Sequence, residues 1–375
     1  MDSIHNTLKN VASKFALNGE FIDGEPYGSG HINDTYAVSI KQSDQTARYI
    51  FQRINHEIFK NPVALVENIT RVTRHIHNKL EQDNTSDIDR CTLTLIPTIE
   101  GDNILIDTDG LYWRAYIFIE NAKTYDIIES TDQAYQAARA FGQFQCQLAD
   151  LPSPRLHETI PNFHHTRSRF DALLKAADID CCERVASAQE ELAFAKDHES
   201  VVDVLLDLQA SGDLPERITH NDTKLNNVMI DDDTGEGICV IDLDTVMPGI
   251  ALYDFGDMVR TATNTGAEDE LDLSKISMDI GMFEALTLGY LSAAGSMLVP
   301  KEIEYLPFSG KLIALETGLR FLTDYLQGDV YFKTHRERHN LDRCRTQFKL
   351  VQSIEDQKKV MQQIVATTTD TLINN

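Results

Sequence analysis

The first third of the chain alternates as a sheet does. Residues 35–40 (TYAVSI) and 48–54 (RYIFQRI) are β-branched and aromatic runs joined by a polar loop, which predicts a hairpin. A second hairpin is predicted from 103–106 (NILI) and 111–119 (LYWRAYIFI), which flank Asp107-Thr108-Asp109-Gly110 with its Asp-Gly turn signal. Between them, Val63, Val66, Ile69, Val72 or Thr73, and Ile76 recur at helical spacing, with Pro62 suited to a first turn. After Tyr125 the period changes. Ser130 and Gln133 can form a capping box for a helix with an apolar stripe of Ala134, Ala137, Phe141, Phe144 and Leu148. Helical spacing then runs to the end, where Phe348, Val351, Ile354, Met361 and Ile364 mark the last helix. One β-like island interrupts it, from Asn226 to Leu243. Strands followed by a larger set of helices predict an α+β fold in two domains, a sheet lobe over 1–120 and a helical lobe over 121–375.

Composition narrows the partners. The 375 residues carry a formal net charge of −25, which repels nucleic acid and anionic membrane surfaces alike. No stretch approaches the 18 or so apolar residues of a membrane span. Six cysteines without a CxxC pair, and no signal-peptide core at the start, point to a reduced, cytoplasmic protein. The sequence leaves the oligomeric state open.

The chemistry concentrates in residues 218–246, ITHNDTKLNNVMIDDDTGEGICVIDLDTV. Asp222 stands five residues before Asn227, and Asp242 ends the apolar run ICVI. Phosphoryl transfer needs little more than a carboxylate to orient and deprotonate the acceptor hydroxyl, and oxygen ligands for Mg²⁺ beside the phosphates. An HxDxxxxN loop supplies the first carboxylate and one metal ligand. A hairpin that turns over 231–237 returns the chain to deliver Asp242. This segment resembles the catalytic and metal-binding loops of the aminoglycoside phosphotransferase and choline kinase superfamily, distant relatives of protein kinases. The resemblance implies the two-lobed protein-kinase-like fold, with ATP and Mg²⁺ as cofactors. It implies Asp222 as catalytic base, Asn227 and Asp242 as metal ligands, His220 as holder of the loop, and Lys224 as a cation for the transferring group. Asp244 becomes a second acidic metal contact. A DFG triplet at 254–256 is expected to be structural, with Asp254 capping the next helix and supporting the loop.

In the sheet lobe, YGSGHINDTY (27–36) offers Gly28 and Gly30 for a close backbone approach to phosphates. The cation that kinases place on the third strand falls to Arg53, with Glu67 as its helix partner, although adjacent Gln52 competes for the inward position. Ile119 and Glu120 stand where a hinge would offer backbone groups to adenine.

The runs YIFQRINHEIFKNP, WRAYIFIENAKTYD, HNDTKLNNV, VIDLDTVMPGIALYDFGD and RFLTDYLQGDVYFK are together similar to the N-acetylhexosamine 1-kinase group. That likeness implies transfer from ATP to the anomeric hydroxyl of N-acetylglucosamine or N-acetylgalactosamine. Arg320 and Tyr331 would contact the sugar, and His31 would reach it from the glycine loop. Thr261 stands where a bulkier aromatic is expected in that group. The alternative acceptors are another sugar, an amino alcohol or an aminoglycoside; a non-catalytic sensor fits less well with Asp222, Asn227 and Asp242 all intact. Trp113 is expected in the core rather than on a ligand. His335 and His339, and the group His157, His164 and His165, are expected to be structural or exposed rather than metal-bound.

Overall fold

The computed structural model describes residues 2–28, 30, 32–43 and 45–373. It is an α+β structure with an antiparallel sheet in its N-terminal part and helices through most of the rest. The chain divides into two compact units. The first comprises Met1–Lys123, Asp150–Ile160 and Met229–Met247, and the second Thr124–Ala149, Pro161–Val228 and Pro248–Asn375.

In the first unit, strands β1 (Glu20–Pro26), β2 (Asp34–Gln42) and β3 (Gln45–Ile54) run side by side. β3 pairs in turn with the strand Tyr112–Ile117, which also carries the short strands Leu95–Ile96 and Leu105–Ile106. Both expected hairpins form. In the second, the Asp107 carboxylate accepts from the N–H groups of Asp109 and Leu111 at 2.9 Å, and Gly110 takes a φ of +77°. Period-2 burial drives Val38, Ile40, Phe51, Trp113 and Ala115 to one core. Helix Asp2–Ala12, which no apolar spacing announced, closes that core with Leu8 and Val11. Trp113 lies fully inside it, its indole N–H donating to Asp107 at 2.8 Å. Helix Pro62–Gln82 starts on an Asn61 cap and buries Val66, Ile69, Val72 and Ile76, whereas Val63 in its first turn is exposed.

The second unit is a helical pack. Helix Thr131–Leu148 begins as expected on Ser130, whose hydroxyl accepts from Gln133 N at 3.2 Å. The Gln133 side chain reaches one residue further back, to Glu129 N. It lies along helix Ile280–Ala294, while helix Pro300–Gln327 packs on Ala251–Ala262, Thr166–Ile179 and the last helix, His339–Ile373. In that last helix Phe348, Val351, Ile354 and Met361 are buried, and Val365 replaces the expected Ile364 as the next core position. Among the described residues no helix is long and apolar enough to cross a membrane.

Gly289 sets the crossing of Thr131–Leu148 with Ile280–Ala294, because a Cβ there would lie 2.2 Å from the Tyr135 carbonyl oxygen. Overpacking of this kind costs about 1–3 kcal/mol. Gly289→Ala is therefore expected to lower the thermal midpoint measurably, and an unchanged midpoint would show that the crossing tolerates the extra carbon.

Candidate active site

The loop that carries Asp222 is built in the second unit around one buried side chain. Asp254, in the first turn of helix Ala251–Ala262, is fully buried. Its carboxylate does not cap its own helix, as the sequence suggested. It accepts from the backbone N–H of His220 at 2.9 Å and of Asn221 at 2.7 Å, and from Gln145 Nε2 at 2.5 Å. Tyr290 donates to the other end of Gln145 at 2.6 Å, and the Thr223 hydroxyl donates to the Asp254 carbonyl at 2.6 Å. Burial pushes the Asp254 carboxyl above the ordinary range, and the N–H donors oppose that shift.

These bonds hold a strained turn. Asn221 has a φ of +66°, a left-handed conformation that Asn tolerates better than most residues. The ring of His220 is fully buried edge-on to Phe141 and Phe144, and its Nδ1 lies 3.3 Å from the Asp222 N–H. Asp222 itself is partly exposed. Lys224 Nζ is 3.2 Å from its carboxylate, and Asn227 Nδ2 donates to the Asp222 carbonyl at 2.8 Å and reaches the carboxylate at 3.3 Å. Asp222, Lys224, Asn227 and His220 thus form one local cluster.

Lys224 also lines a cleft of about 510 Å³ in this unit, together with Arg260, Thr261 and Asn264. Arg260 is paired with Asp257 at 2.7 Å and faces Glu268 at 3.5 Å. Thr261 turns its hydroxyl back to the Asp257 carbonyl at 2.8 Å.

In the first unit the hairpin before Asp242 forms from Val228–Asp231 and Gly237–Val240, with Ala122–Lys123 as a third strand. Asp231 shapes its turn by accepting from the N–H groups of Asp233 and Thr234, and Arg90 pairs with its second oxygen at 2.7 Å. Asp242 follows with a φ of +57° and an exposed side chain.

Asp244 is placed differently from the expected metal contact. It is buried, with Arg114 Nη1 at 2.5 Å from one oxygen and Asn33 Nδ2 donating to the other at 2.6 Å. A carboxylate with both oxygens so engaged ties the segment after Asp242 to Arg114 and Asn33. Arg114 is 1% exposed, and its Nε donates to Gln52 Oε1 at 3.0 Å, across the registered pair of β3 and the strand Tyr112–Ile117.

Strand parity therefore corrects Arg53. Gln52 shares a sheet face with Arg114, while Arg53 lies on the opposite face with Phe51 and Trp113, paired with Asp34 and over the Trp113 ring. Glu67 pairs with His157 at 3.1 Å, so the expected Arg53–Glu67 ion pair does not form. The buried cation of this sheet is Arg114. A charged residue amid the apolar run LYWRAYIFI was the signal for it, since such a charge must find a partner.

Gly28 has a φ of +80°, and a Cβ at either Gly28 or Gly30 would meet open space. His31 lies outside the described residues. Ile119 is buried in an apolar cluster with Met229 and Cys239. Glu120 is exposed, pairs with Arg48, and gives its carbonyl to Arg90 Nε at 3.1 Å.

Back in the second unit, the Arg320 guanidinium sits 5.5 Å from the centroid of Phe163 and 5.6 Å from that of Phe332. Exposed Tyr331 packs edge-on to Phe332. Asp324, one turn along from Arg320, does not pair with it. Its carboxylate accepts from the backbone N–H groups of Val330, Tyr331 and Phe332 at 2.8–3.0 Å. His335 and His339 belong to no metal-binding group among the described residues, and His339 bonds to Asp269 at 2.9 Å.

The profile of the Phosphotransferase enzyme family (APH) matches residues 23–277, more than half of the chain. The chain belongs to this family. It is an ATP-dependent phosphotransferase acting on a hydroxyl group, a small-molecule kinase of the aminoglycoside phosphotransferase and choline kinase superfamily. Several solved structures share its fold. An aminoglycoside phosphotransferase from Alicyclobacillus acidocaldarius is 12% identical, with a TM-score of 0.56 over 97% of this chain and 96% of that one. A spectinomycin phosphotransferase solved with ADP and spectinomycin is 14% identical, with a TM-score of 0.54 over 95% and 98%. An ethanolamine kinase from Plasmodium vivax is 14% identical, with a TM-score of 0.51 over 86% and 80%. At these identities the likeness is one of fold. Within this phosphotransferase the 23–277 match contains the Asp222 loop and the Asp242 hairpin, whereas Arg320 and Tyr331 lie beyond it.

Losing Asp254 would strip the acceptor from two buried backbone donors, at about 1–3 kcal/mol for each group left unsatisfied. Asp254→Ala is expected to destabilise the phosphotransferase by more than a helix cap's worth, about 0.5–2 kcal/mol. Asp254→Asn keeps one oxygen and should lose less. Calorimetry of both variants checks this, and equal, small losses would remove Asp254 from the centre of the loop.

Proposed function

We propose that this phosphotransferase transfers the γ-phosphoryl group of ATP to the anomeric hydroxyl of an N-acetylhexosamine. Two things support the acceptor: the runs of sequence shared with the N-acetylhexosamine 1-kinase group, and the Arg320 site. The latter carries the reading. A planar cation backed by Phe163 and Phe332, beside Tyr331, offers directed N–H donors and apolar ring faces, which is what a pyranose with an acetamido group requires.

In this reading Asp222 orients the anomeric hydroxyl and takes its proton as the phosphorus–oxygen bond forms. That hydroxyl is more acidic than an ordinary alcohol, so a carboxylate suffices as base. Lys224 Nζ, 3.2 Å from the Asp222 carboxylate, is available to the negative phosphoryl oxygens. His220 acts through packing and the Asp222 N–H. Asn227 commits its amide nitrogen to Asp222, which leaves its oxygen as a proposed Mg²⁺ ligand, and the exposed carboxylate of Asp242 is proposed as another. When bound, Mg²⁺ supplies charge neutralisation on the phosphates. Gly28, Gly30, Ile119 and Glu120 are proposed to receive the nucleotide.

Asp222→Asn is expected to keep the fold and nucleotide affinity while kcat falls by about 10²- to 10⁴-fold, the range for lost general-base help. Coupled ADP release with N-acetylglucosamine measures it, and near-normal turnover would remove Asp222 from the chemistry.

Arg320→Ala is expected to raise KM for the sugar by roughly 10- to 150-fold, the effect of a lost charged hydrogen bond, with KM for ATP nearly unchanged. Parallel assays with N-acetylgalactosamine, glucose, choline and an aminoglycoside test the acceptor class. Turnover of choline or the aminoglycoside without any hexosamine would overturn the sugar assignment and leave the family intact.

A further inference from the structure

His164 lies just before helix Thr166–Ile179 and is about nine-tenths buried. Its Nδ1 is 2.8 Å from Glu316 Oε1, and its Nε2 is 3.1 Å from the carbonyl oxygen of Asn221. The second oxygen of Glu316, which is 1% exposed, accepts from the Thr166 hydroxyl at 2.6 Å. Both ring nitrogens therefore face oxygen acceptors. A neutral imidazole has a single N–H, so one of its nitrogens would turn a lone pair onto the carbonyl or the carboxylate. With Glu316 ionised, as the charge of His164 and the Thr166 hydroxyl favour, only a ring carrying both protons satisfies the two together.

The bond to Asn221 matters because of where that peptide sits. Asn221 is the left-handed residue immediately before Asp222. Asp254 holds its N–H, and Thr219 holds its side chain, donating to Oδ1 at 3.0 Å and accepting from Nδ2 at 3.2 Å. Its carbonyl, which belongs to the peptide bond leading into Asp222, is held by His164. We propose that His164 is a positioning residue, kept as an imidazolium that donates Nδ1–H to Glu316 and Nε2–H to the Asn221 carbonyl, and that it fixes the peptide presenting Asp222.

The surroundings support the charge. From Ala251–Ala262, Asp257 faces the ring while itself paired with Arg260, and the Tyr253 ring lies 5.0 Å away. From Pro300–Gln327 come Glu316 and, acting on it, Arg320; Arg169 acts on Glu316 from Thr166–Ile179. Burial pulls the His164 pKa down, but Glu316, Asp257 and the Asn221 carbonyl outweigh it, and the net direction is up. The proton is thus held below the ordinary histidine value of about 6.5 and lost as pH rises through the higher folded value. Turnover should fall on that alkaline side.

The test uses the full chain. ¹⁵N-imidazole NMR at pH 7, with His164 assigned by through-bond correlation, should show both ring nitrogens protonated. In assays with Mg²⁺-ATP and N-acetylglucosamine, His164→Ala should lower kcat by roughly 10- to 100-fold, the effect of losing a charged hydrogen bond, with little change in KM for ATP. His164→Gln, which keeps an N–H for the carbonyl, should recover part of that loss. Glu316→Gln lets a neutral ring keep Nε2–H, because the amide can donate to Nδ1, and should erase the alkaline limb. A bare ring nitrogen at pH 7, a wild-type kcat in His164→Ala, or an alkaline limb unchanged in Glu316→Gln would each overturn the proposal. The kinetic arms rest on the proposed acceptor. Wild-type enzyme inert toward the sugar would overturn that acceptor, and the NMR result would then decide His164 alone.

Discussion

A carboxylate removed from water needs several donors, and the way Asp254 finds them governs the rest of the second unit. Its partners are the amide groups of His220, Asn221 and Gln145, so the loop before Asp222 is tied to a helix rather than to another loop. That helix is itself fixed by Phe255, buried against Tyr290 and Phe283. The position of Asp222 is therefore inherited from helix packing. A carboxylate carried on a free loop would sample many positions, whereas this one is held by bonds on both sides of a left-handed residue. Buried polar groups of this kind are expensive unless fully satisfied, and here each has a named partner.

Much of this was legible because the relevant distances are short along the chain. The spacing of Asp222, Asn227 and Asp242, the turn at Asp231 and the structural status of Asp254 follow from local chemistry, and the structure agrees on the hairpin and on Asp254 as support for the loop. The capping role assigned to Asp254 was a local reading of a residue whose partners come from other elements. Apolar period located the helices and the sheet, apart from Asp2–Ala12, whose stripe of Leu8 and Val11 is too short to stand out.

What stayed hidden was parity and partnership at long range. Arg53 and Gln52 are adjacent, and a shift of one position along a strand exchanges the faces. Only pairing with Arg114 settles which face Gln52 takes, and Arg114 in turn answers to Asp244, far along the chain. His164 and Glu316 are a similar case. Each is unremarkable in its own segment, and the pair exists only once helix Pro300–Gln327 has folded back on the loop before Thr166.

The segment 330–332 hangs from Asp324 by its backbone alone. Three consecutive N–H groups of Val330, Tyr331 and Phe332 supply the bonds, and Asn340 steadies the same carboxylate at 2.9 Å. Val330 and Tyr331 are both exposed, so their side chains carry no part of that anchorage. Exchanging them alters the surface of the segment and leaves the loop's fastening as it was. Such a segment is evolvable: new surface side chains can be sampled there one residue at a time, with folding insulated from the search.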